Sequence, residues 1–300
     1  MNVRPIFVFS VSRSGSTLVQ RVIGAHKEVA TAQEPWVLLP FLYAMRRKGT
    51  IAEYRNALHD FAMRLYETSA GEESLFFLDK SPPYYLIAEE IMSLFPEGRF
   101  VFLWRNPLSI VASIIDTWQE GHWHPTMYRS DLFIGLPRLV AAYEAHGANA
   151  YSVRFEDLVG GDEAHWQALM EYLGIEFDPR SLHDFAKVTL QGRMGDPTGT
   201  KRYTTLSTDP TEKWKKAFEN PIRRAWCRRY LRFLGSERLQ VMGYSQQELL
   251  RELGSQPSGT AWLARDLASL VADVVKEPVR VRIRGQGLGG PNVIRELLRS

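Results

Sequence analysis

The chain opens on a continuous apolar run, Pro5-Ile-Phe-Val-Phe9, that breaks into Ser10-Val-Ser-Arg-Ser-Gly-Ser16. A run without alternation suits a strand buried on both faces, as in parallel sheets. Leu18, Val19, Val22 and Ile23 then recur at helical spacing up to His26. Strand, Ser/Gly loop and helix in this order commit the chain to an α/β architecture.

The pattern repeats downstream. Leu75–Leu78 reads as a second strand and leads into Asp79-Lys80-Ser81-Pro82-Pro83, where paired prolines suit a helix start. Leu86, Ile87, Ile91 and Leu94 mark that helix. Phe100–Trp104 reads as a third strand. Asn106-Pro107 after it reads as an N-cap and first helical position, with Ile110, Val111, Ile114 and Ile115 continuing the helix. Tyr151–Phe155 reads as a fourth strand. Alternating strands and helices predict a P-loop-like, three-layer α/β domain with a central parallel sheet flanked by helices.

Beyond the strands the pattern loosens. Residues 190–208 are rich in Gly, Thr and Pro, and a loop that long inside a compact domain points to function or mobility. Asn220–Gly235 reads as an amphipathic helix, apolar through Trp226, Cys227, Tyr230, Leu231 and Leu234. Arg223, Arg224, Arg228, Arg229 and Arg232 load its other side. That arginine face has two readings, a solvated surface or a contact for an anion. Residues 254–259 read as a linker, followed by a helix over 261–276, an alternating stretch over 279–284 and a short terminal helix. The expected division is 1–253 for the main domain and 254–300 for an extension. Packing on the sheet edge, homodimerisation and closing the acceptor site all stay open for that extension.

Composition narrows the class. The 300 residues are 45% hydrophobic and 24% charged, which excludes a disordered chain, a collagen-like repeat and a disulfide scaffold. A net charge of +3 gives no argument for a nucleic-acid partner. Cys227 stands alone, so no internal disulfide and no cysteine zinc site can form. The first apolar stretch is too short for a signal peptide, and the longest apolar run, Trp36–Met45, falls short of a membrane span. The expected location is cytoplasmic.

The loop after the first strand has the geometry that cradles phosphates, with backbone N–H groups and a helix N-terminus facing an anion. The nucleoside-triphosphate form of such a loop ends in Gly-Lys-Ser/Thr. Here Ser16 stands before Thr17 where the lysine belongs, and the positive charge sits on Arg13. Hydroxyls, amides and an arginine suit an anion held without a metal. Arg105 leaves the end of a strand before a helix start, with Ser109 and Ser113 on that helix. It is a second candidate anion site, at the strand ends where open α/β sheets bind ligands, the plain reading being a helix-capping arginine in a salt bridge.

These motifs together resemble the PAPS-dependent sulfotransferase family, in its bacterial, carbohydrate and tyrosylprotein branch. The similarity covers roughly residues 4–235. It runs through Phe7–Leu18 with His26, Leu78-Asp-Lys-Ser-Pro82, Arg105 with Ser113, Ser152–Leu158, Leu173-Gly174, Gly195-Asp-Pro197 and Lys213-Trp-Lys215. The resemblance implies the sulfuryl donor PAPS and the product PAP. Arg13, Ser14, Gly15, Ser16 and Thr17 would bind the phosphosulfate, and Arg105 with Ser113 the 3′-phosphate. It further implies that Glu34, in Thr31-Ala-Gln-Glu-Pro-Trp36, is the general base. Lys80 would stand near the leaving group's bridging oxygen, and Arg13 would stabilise spread-out charge on the sulfuryl group. No metal is expected. A lysine paired with Asp79 or Glu34, and a surface carboxylate at Glu34, are the plain structural readings of the same residues.

Trp36, Trp118, His122, Trp123 and His124 are candidates for an acceptor pocket, and His122 or His124 is the second candidate base. Phe155 stands where a tyrosine is frequent at that strand end. The acceptor class stays open among a small molecule, a carbohydrate and a peptide. Two other functions remain in view, a phosphate-loop kinase and a non-catalytic nucleotide-binding protein of the same fold.

Overall fold

The structure is a computed structural model, and it describes residues 3–49, 51–124, 129–188, 190, 209–260 and 262–268. The expected helix over 261–276 lies partly outside these residues. The 279–284 stretch, the terminal helix and Gly195-Asp-Pro197 lie wholly outside them.

Among the described residues five strands form one parallel sheet: β1 (Arg4–Phe9), β2 (Val29–Thr31), β3 (Phe76–Asp79), β4 (Arg99–Trp104) and β5 (Ala150–Arg154), in the spatial order β2-β3-β1-β4-β5. Four of these match the expected strands. The fifth, β2, is only three residues long, and Val-Ala-Thr is too short for periodicity to register. The expected fourth strand stops one residue early. Phe155 opens helix α7 (Phe155–Val159) instead, with Glu156 and Asp157 in its first turn.

The chain divides into two compact units, Met1–Trp104 with Ala141–Ser207, and Arg105–Val140 with Thr208–Ser300. The first unit holds the sheet, and residue alternation gives its two faces different chemistry. Ile6 and Val8 of β1, Leu78 of β3, Val101 and Leu103 of β4 and Val153 of β5 make an aliphatic face. It is covered by α1 (Ser16–Ile23), α7 and α8 (Ala164–Leu173), through residues such as Val19, Val22, Trp166 and Leu169. The intervening residues Phe7, Phe9, Phe77, Phe100 and Phe102 make an aromatic face. Helix α3 (Ile51–Ala70) covers it with Tyr66, helix α4 (Ala88–Leu94) is followed by Phe95, and Tyr143 belongs to α6 (Leu136–His146). Phe7 lies 5.1 Å from Phe95 and 5.8 Å from Phe100, ring centre to ring centre. The apolar run that opens the chain is continuous because both faces of β1 are core. Helix α2 (Leu38–Lys48) links β2 to α3, and α9 (Ser181–Asp184) packs back on α1.

In the second unit, α5 (Pro107–Trp118) starts as expected: the Asn106 side chain accepts from the Leu108 amide at 2.9 Å, and Pro107 fills the first helical position. Two short helices, α10 (Asp209–Glu212) and α11 (Trp214–Ala217), precede α12 (Pro221–Val241), and α13 (Gln246–Ser255) follows. Helix α12 uses the same Asn-Pro start, through Asn220. It runs past the expected end at Gly235, where φ is +78 and the helix kinks.

Candidate active site

Each candidate group of the first unit stands just past the carboxyl end of a strand. Arg13 follows β1, Glu34 follows β2 and Lys80 follows β3. In the order β2-β3-β1 these three ends are neighbours, and open α/β sheets bind ligands at such ends.

The loop after β1 is shaped by Gly15. Its φ of +90 suits glycine, and a Cβ there would lie 2.3 Å from ring carbons of Phe155. The Phe155 ring is therefore the floor on which the loop rests, a packing role that needs no hydroxyl. Gly15 caps α1, and its carbonyl receives the Leu18 and Val19 amides at 3.0 and 3.3 Å. The amides of Ser16 and Thr17 precede these bonds, where a helix leaves its first N–H groups without intrahelical acceptors. The hydroxyls of Ser10 and Ser14 are buried, with no hydrogen-bond partner among the described residues. A buried polar atom without a partner is costly unless a ligand or water completes it. Two such hydroxyls, a helix start and a glycine with no room for a side chain fit a phosphate- or sulfate-bearing ligand. Arg13, half-buried, adopts φ +69 on the same loop.

Glu34 and Lys80 are brought together. The Lys80 ammonium donates to Glu34 Oε1 at 2.9 Å, with side-chain exposures of 2% and 11%. The pairing is thus with Glu34 and not with the adjacent Asp79. The Trp36 indole N–H donates to the other oxygen, Glu34 Oε2, at 3.3 Å. Glu34 and Trp36 have φ of +41 and +54, in the left-handed region that ordinary residues avoid. Each such residue stores roughly 1–3 kcal/mol and persists only where its surroundings fix it.

Around this pair lies a network that reading the sequence for Lys80 alone overlooks. Asp79 is buried and accepts from Ser81 Oγ at 2.9 Å, Tyr84 Oη at 3.0 Å and Tyr66 Oη at 2.8 Å. Burial pushes its carboxyl up to about 6, against the pull of three hydroxyl donors and the Lys80 charge. Burial and the nearby Asp79 push the Tyr66 and Tyr84 phenols well above their ordinary value. Gln20, buried on α1, donates to Thr31 Oγ1 at 2.7 Å and to the Ala32 carbonyl at 2.8 Å, fixing the chain as it leaves β2. The available signals were an aspartate ending an apolar strand and a glutamine among the apolar positions of α1.

The second unit holds the remaining candidates. Arg105 is buried and Ser113 half-buried, the latter on α5. Ser109 on the same helix donates to the Thr211 carbonyl at 3.4 Å. Trp123 is fully buried; it meets Trp226 edge-on at 5.4 Å and lies under the Arg223 guanidinium at 5.5 Å. His122 and His124 are half-buried and stack at 6.0 Å, and Arg265 hydrogen-bonds His122. Gln119 fixes the loop from both sides, accepting from the His124 amide and donating to its carbonyl. Trp118 is half-buried at the end of α5. Among the described residues no cluster of His, Cys, Asp or Glu could hold a metal ion. Of Lys213-Trp-Lys215, Trp214 is buried in α11 and Lys215 pairs with Glu212.

The arginine face of α12 needs correction. Arg223 and Arg224 are buried, not solvated. Arg223 donates to both oxygens of the fully buried Asp266, at 2.6 and 2.9 Å, and to the Gly121 carbonyl at 2.9 Å. Arg224 donates to the carbonyls of Phe218, Glu219 and Pro257. Two guanidiniums are tolerated in the interior because carboxylate and carbonyl oxygens meet their donors.

An α/β sheet with an anion-shaped loop after its first strand defines the class. The chain belongs to the sulfotransferase family, whose family model matches residues 5–179. It is similar to the nodulation protein NoeE of Sinorhizobium fredii, 26% identical, over 59% of this chain and 51% of that one. Protein-tyrosine sulfotransferase A of Caenorhabditis elegans is 26% identical, over 59% of this chain and 52% of that one. Protein-tyrosine sulfotransferase 2 of Gallus gallus is 24% identical, over 84% of this chain and 69% of that one. The chain thus spans about half the length of the first two of these curated relatives. Among solved structures, a sulfotransferase domain from the curacin biosynthetic pathway shares the fold. Its TM-score is 0.53 at 20% identity, over 72% of this chain and 91% of that one. No helix among the described residues is long and apolar enough to cross a membrane.

Proposed function

We propose that the chain transfers a sulfuryl group from PAPS to an acceptor hydroxyl, without a metal, and that Glu34 is the general base. The buried Lys80–Glu34 pair, past the ends of β3 and β2 and next in strand order to the β1 that leads into the Gly15 loop, carries this reading. When bound, PAPS supplies the sulfuryl group and departs as PAP. The Gly15, Ser16 and Thr17 amides and the Ser14, Ser16 and Thr17 hydroxyls hold the phosphosulfate, and Arg13 offsets the charge spread over the sulfuryl oxygens. Glu34 takes the acceptor's proton as the new oxygen–sulfur bond forms. Lys80, just past the end of β3, the strand between β2 and β1, offsets charge on the leaving oxygen as the old sulfur–oxygen bond breaks. Arg105 and Ser113 bind the 3′-phosphate. Residues 1–253 carry the reaction in this reading, and 254–300 form an extension.

The acceptor is a hydroxyl on a small molecule, a carbohydrate or a peptide. Relatives named protein-tyrosine sulfotransferases make a tyrosine peptide the first one to assay. Radiolabelled PAPS incubated with a tyrosine peptide, p-nitrophenol and an oligosaccharide tests the reading, alongside calorimetry with PAP. Transfer to one of them by the native chain, lost in Glu34→Gln while PAP still binds, is the expected result. Native-like transfer by Glu34→Gln overturns the base assignment, and absence of PAP binding by the native chain overturns the donor.

A further inference from the structure

We propose that Ser81 and Tyr84, both oriented by the buried Asp79 carboxylate, are positioning residues that hold the 34–38 backbone and thereby aim Glu34. The inference rests on the reading of Glu34 as acceptor base and adds what keeps it in place.

Two residues of this segment, Glu34 and Trp36, have left-handed backbones, so its shape must be imposed from outside. Two hydrogen bonds impose it. The Trp36 amide donates to Ser81 Oγ at 3.2 Å, and the Leu38 amide donates to Tyr84 Oη at 3.2 Å. A hydroxyl has one proton and turns freely about its bond, so alone it does not commit to accepting. Asp79 makes the commitment. An ionised carboxylate only accepts, and it draws the Ser81 proton to Oδ1 and the Tyr84 proton to Oδ2. With their protons so engaged, both oxygens present lone pairs to the two amides.

The geometry is compact in sequence. Asp79 ends β3, Ser81 follows two residues on, and Tyr84 lies in the 3-10 turn Pro82–Leu86, whose two prolines restrict the backbone. The far end of the strained segment carries the Trp36 indole, which reaches back to Glu34 Oε2. Holding the Trp36 amide thus fixes both the backbone beside Glu34 and a donor on its carboxylate.

Tyr66 supplies the control. It donates to the same Asp79 oxygen as Tyr84, from α3, and among the described residues it makes no hydrogen bond to the 34–38 segment. Ser81→Ala, Tyr84→Phe and Tyr66→Phe each remove one hydroxyl from Asp79, and only the first two also release the segment. The Trp36 indole N–H resonance, assigned with Trp36→Phe, reports the contact with Glu34 and needs no acceptor substrate. It is expected to move toward the position of a free indole in Ser81→Ala and Tyr84→Phe, and to stay in place in Tyr66→Phe. Turnover of radiolabelled PAPS with p-nitrophenol is expected to fall about tenfold or more in the first two, with KM for PAPS within about twofold of the native value. Equal resonance shifts and equal turnover losses in all three variants would make Asp79 a general structural anchor and overturn the proposal. So would native resonances in Ser81→Ala and Tyr84→Phe. Native turnover in Glu34→Gln overturns the base assignment alone, because the indole readout still tests what holds the segment.

Discussion

Gly15→Ala is the substitution whose consequence the structure states most directly. Two separate penalties meet at this position. Alanine at φ +90 and ψ +10 sits in the left-handed region, which costs roughly 1–2 kcal/mol for an L-residue. The new Cβ would also lie 2.3 Å from Cδ2 and Cε2 of Phe155, and carbon atoms rest at about 3.5–4 Å. The ring must retreat by more than 1 Å into a core where it is fully buried. Forcing a methyl into such packing costs about 1–3 kcal/mol. Together the loss is about 2–5 kcal/mol, a large share of the roughly 5–15 kcal/mol that holds an ordinary domain folded.

The two penalties are separable by a double-mutant cycle with Phe155→Leu, measured by urea unfolding. The smaller side chain relieves the clash and leaves the backbone penalty, so the pair should couple favourably by about 1–3 kcal/mol. PAP affinity, measured by calorimetry, should fall by about tenfold in Gly15→Ala and recover in part in the double variant. Gly15→Ala within about 0.5 kcal/mol of the native stability, or a cycle showing no coupling, would refute the claim that Phe155 is the floor of the loop.

Arg105→Ala should weaken PAP binding while leaving affinity for an analogue lacking the 3′-phosphate unchanged; equal losses for both ligands would remove that residue from the 3′-phosphate site. The buried Asp79 carboxyl, raised from 3.8 to about 6, binds its proton more tightly in the folded than in the unfolded chain. It therefore costs the fold about 3 kcal/mol as pH rises from below 4 to above 6, and Asp79→Asn should lack that fall relative to the native protein in urea titrations at the two ends of the window. Asp266→Ala strands the buried Arg223 guanidinium and should destabilise the protein by about 3–5 kcal/mol. Hydrogen exchange should then rise on α12, and unchanged protection would contradict the burial of that pair.

The sequence carried the strands well because both faces of the sheet are buried, so the runs at Pro5–Phe9 and Phe100–Trp104 show no polar break. Asn106-Pro107 was legible because capping chemistry is local, with acceptor and donor two residues apart. Glu34 and Lys80 could be named from resemblance, but their contact spans 46 positions and depends on how β2 pairs with β3. The burial of Arg223 was hidden for the same reason: its partner, Asp266, lies 43 residues away, beyond an apparent linker. Positive φ at Arg13, Glu34 and Trp36 leaves no mark in composition, since none of them is glycine. Strain at non-glycine positions becomes readable only once the contacts that sustain it are seen.

The strand order also explains why a lysine stands between the proposed base and the anion loop. In sequence β2 follows β1, but in space β3 is inserted between them. The residue after β3 pairs with the Glu34 segment on one side, and the next strand end on the other side is that of β1, which leads into the Gly15 loop. Lys80→Met tests this placement. Removing one member of a buried pair leaves the other charge without compensation and costs about 3–5 kcal/mol. Lys80→Met/Glu34→Gln leaves no such charge, so the double variant should be more stable than Lys80→Met alone, even though it carries one more substitution. If Glu34→Gln costs as much in the native chain as it does in the Lys80→Met background, the pair does not couple. The contact would then be an accident of proximity between two strand ends. If the double variant regains stability but binds PAP as weakly as Lys80→Met, the lysine serves both neighbours.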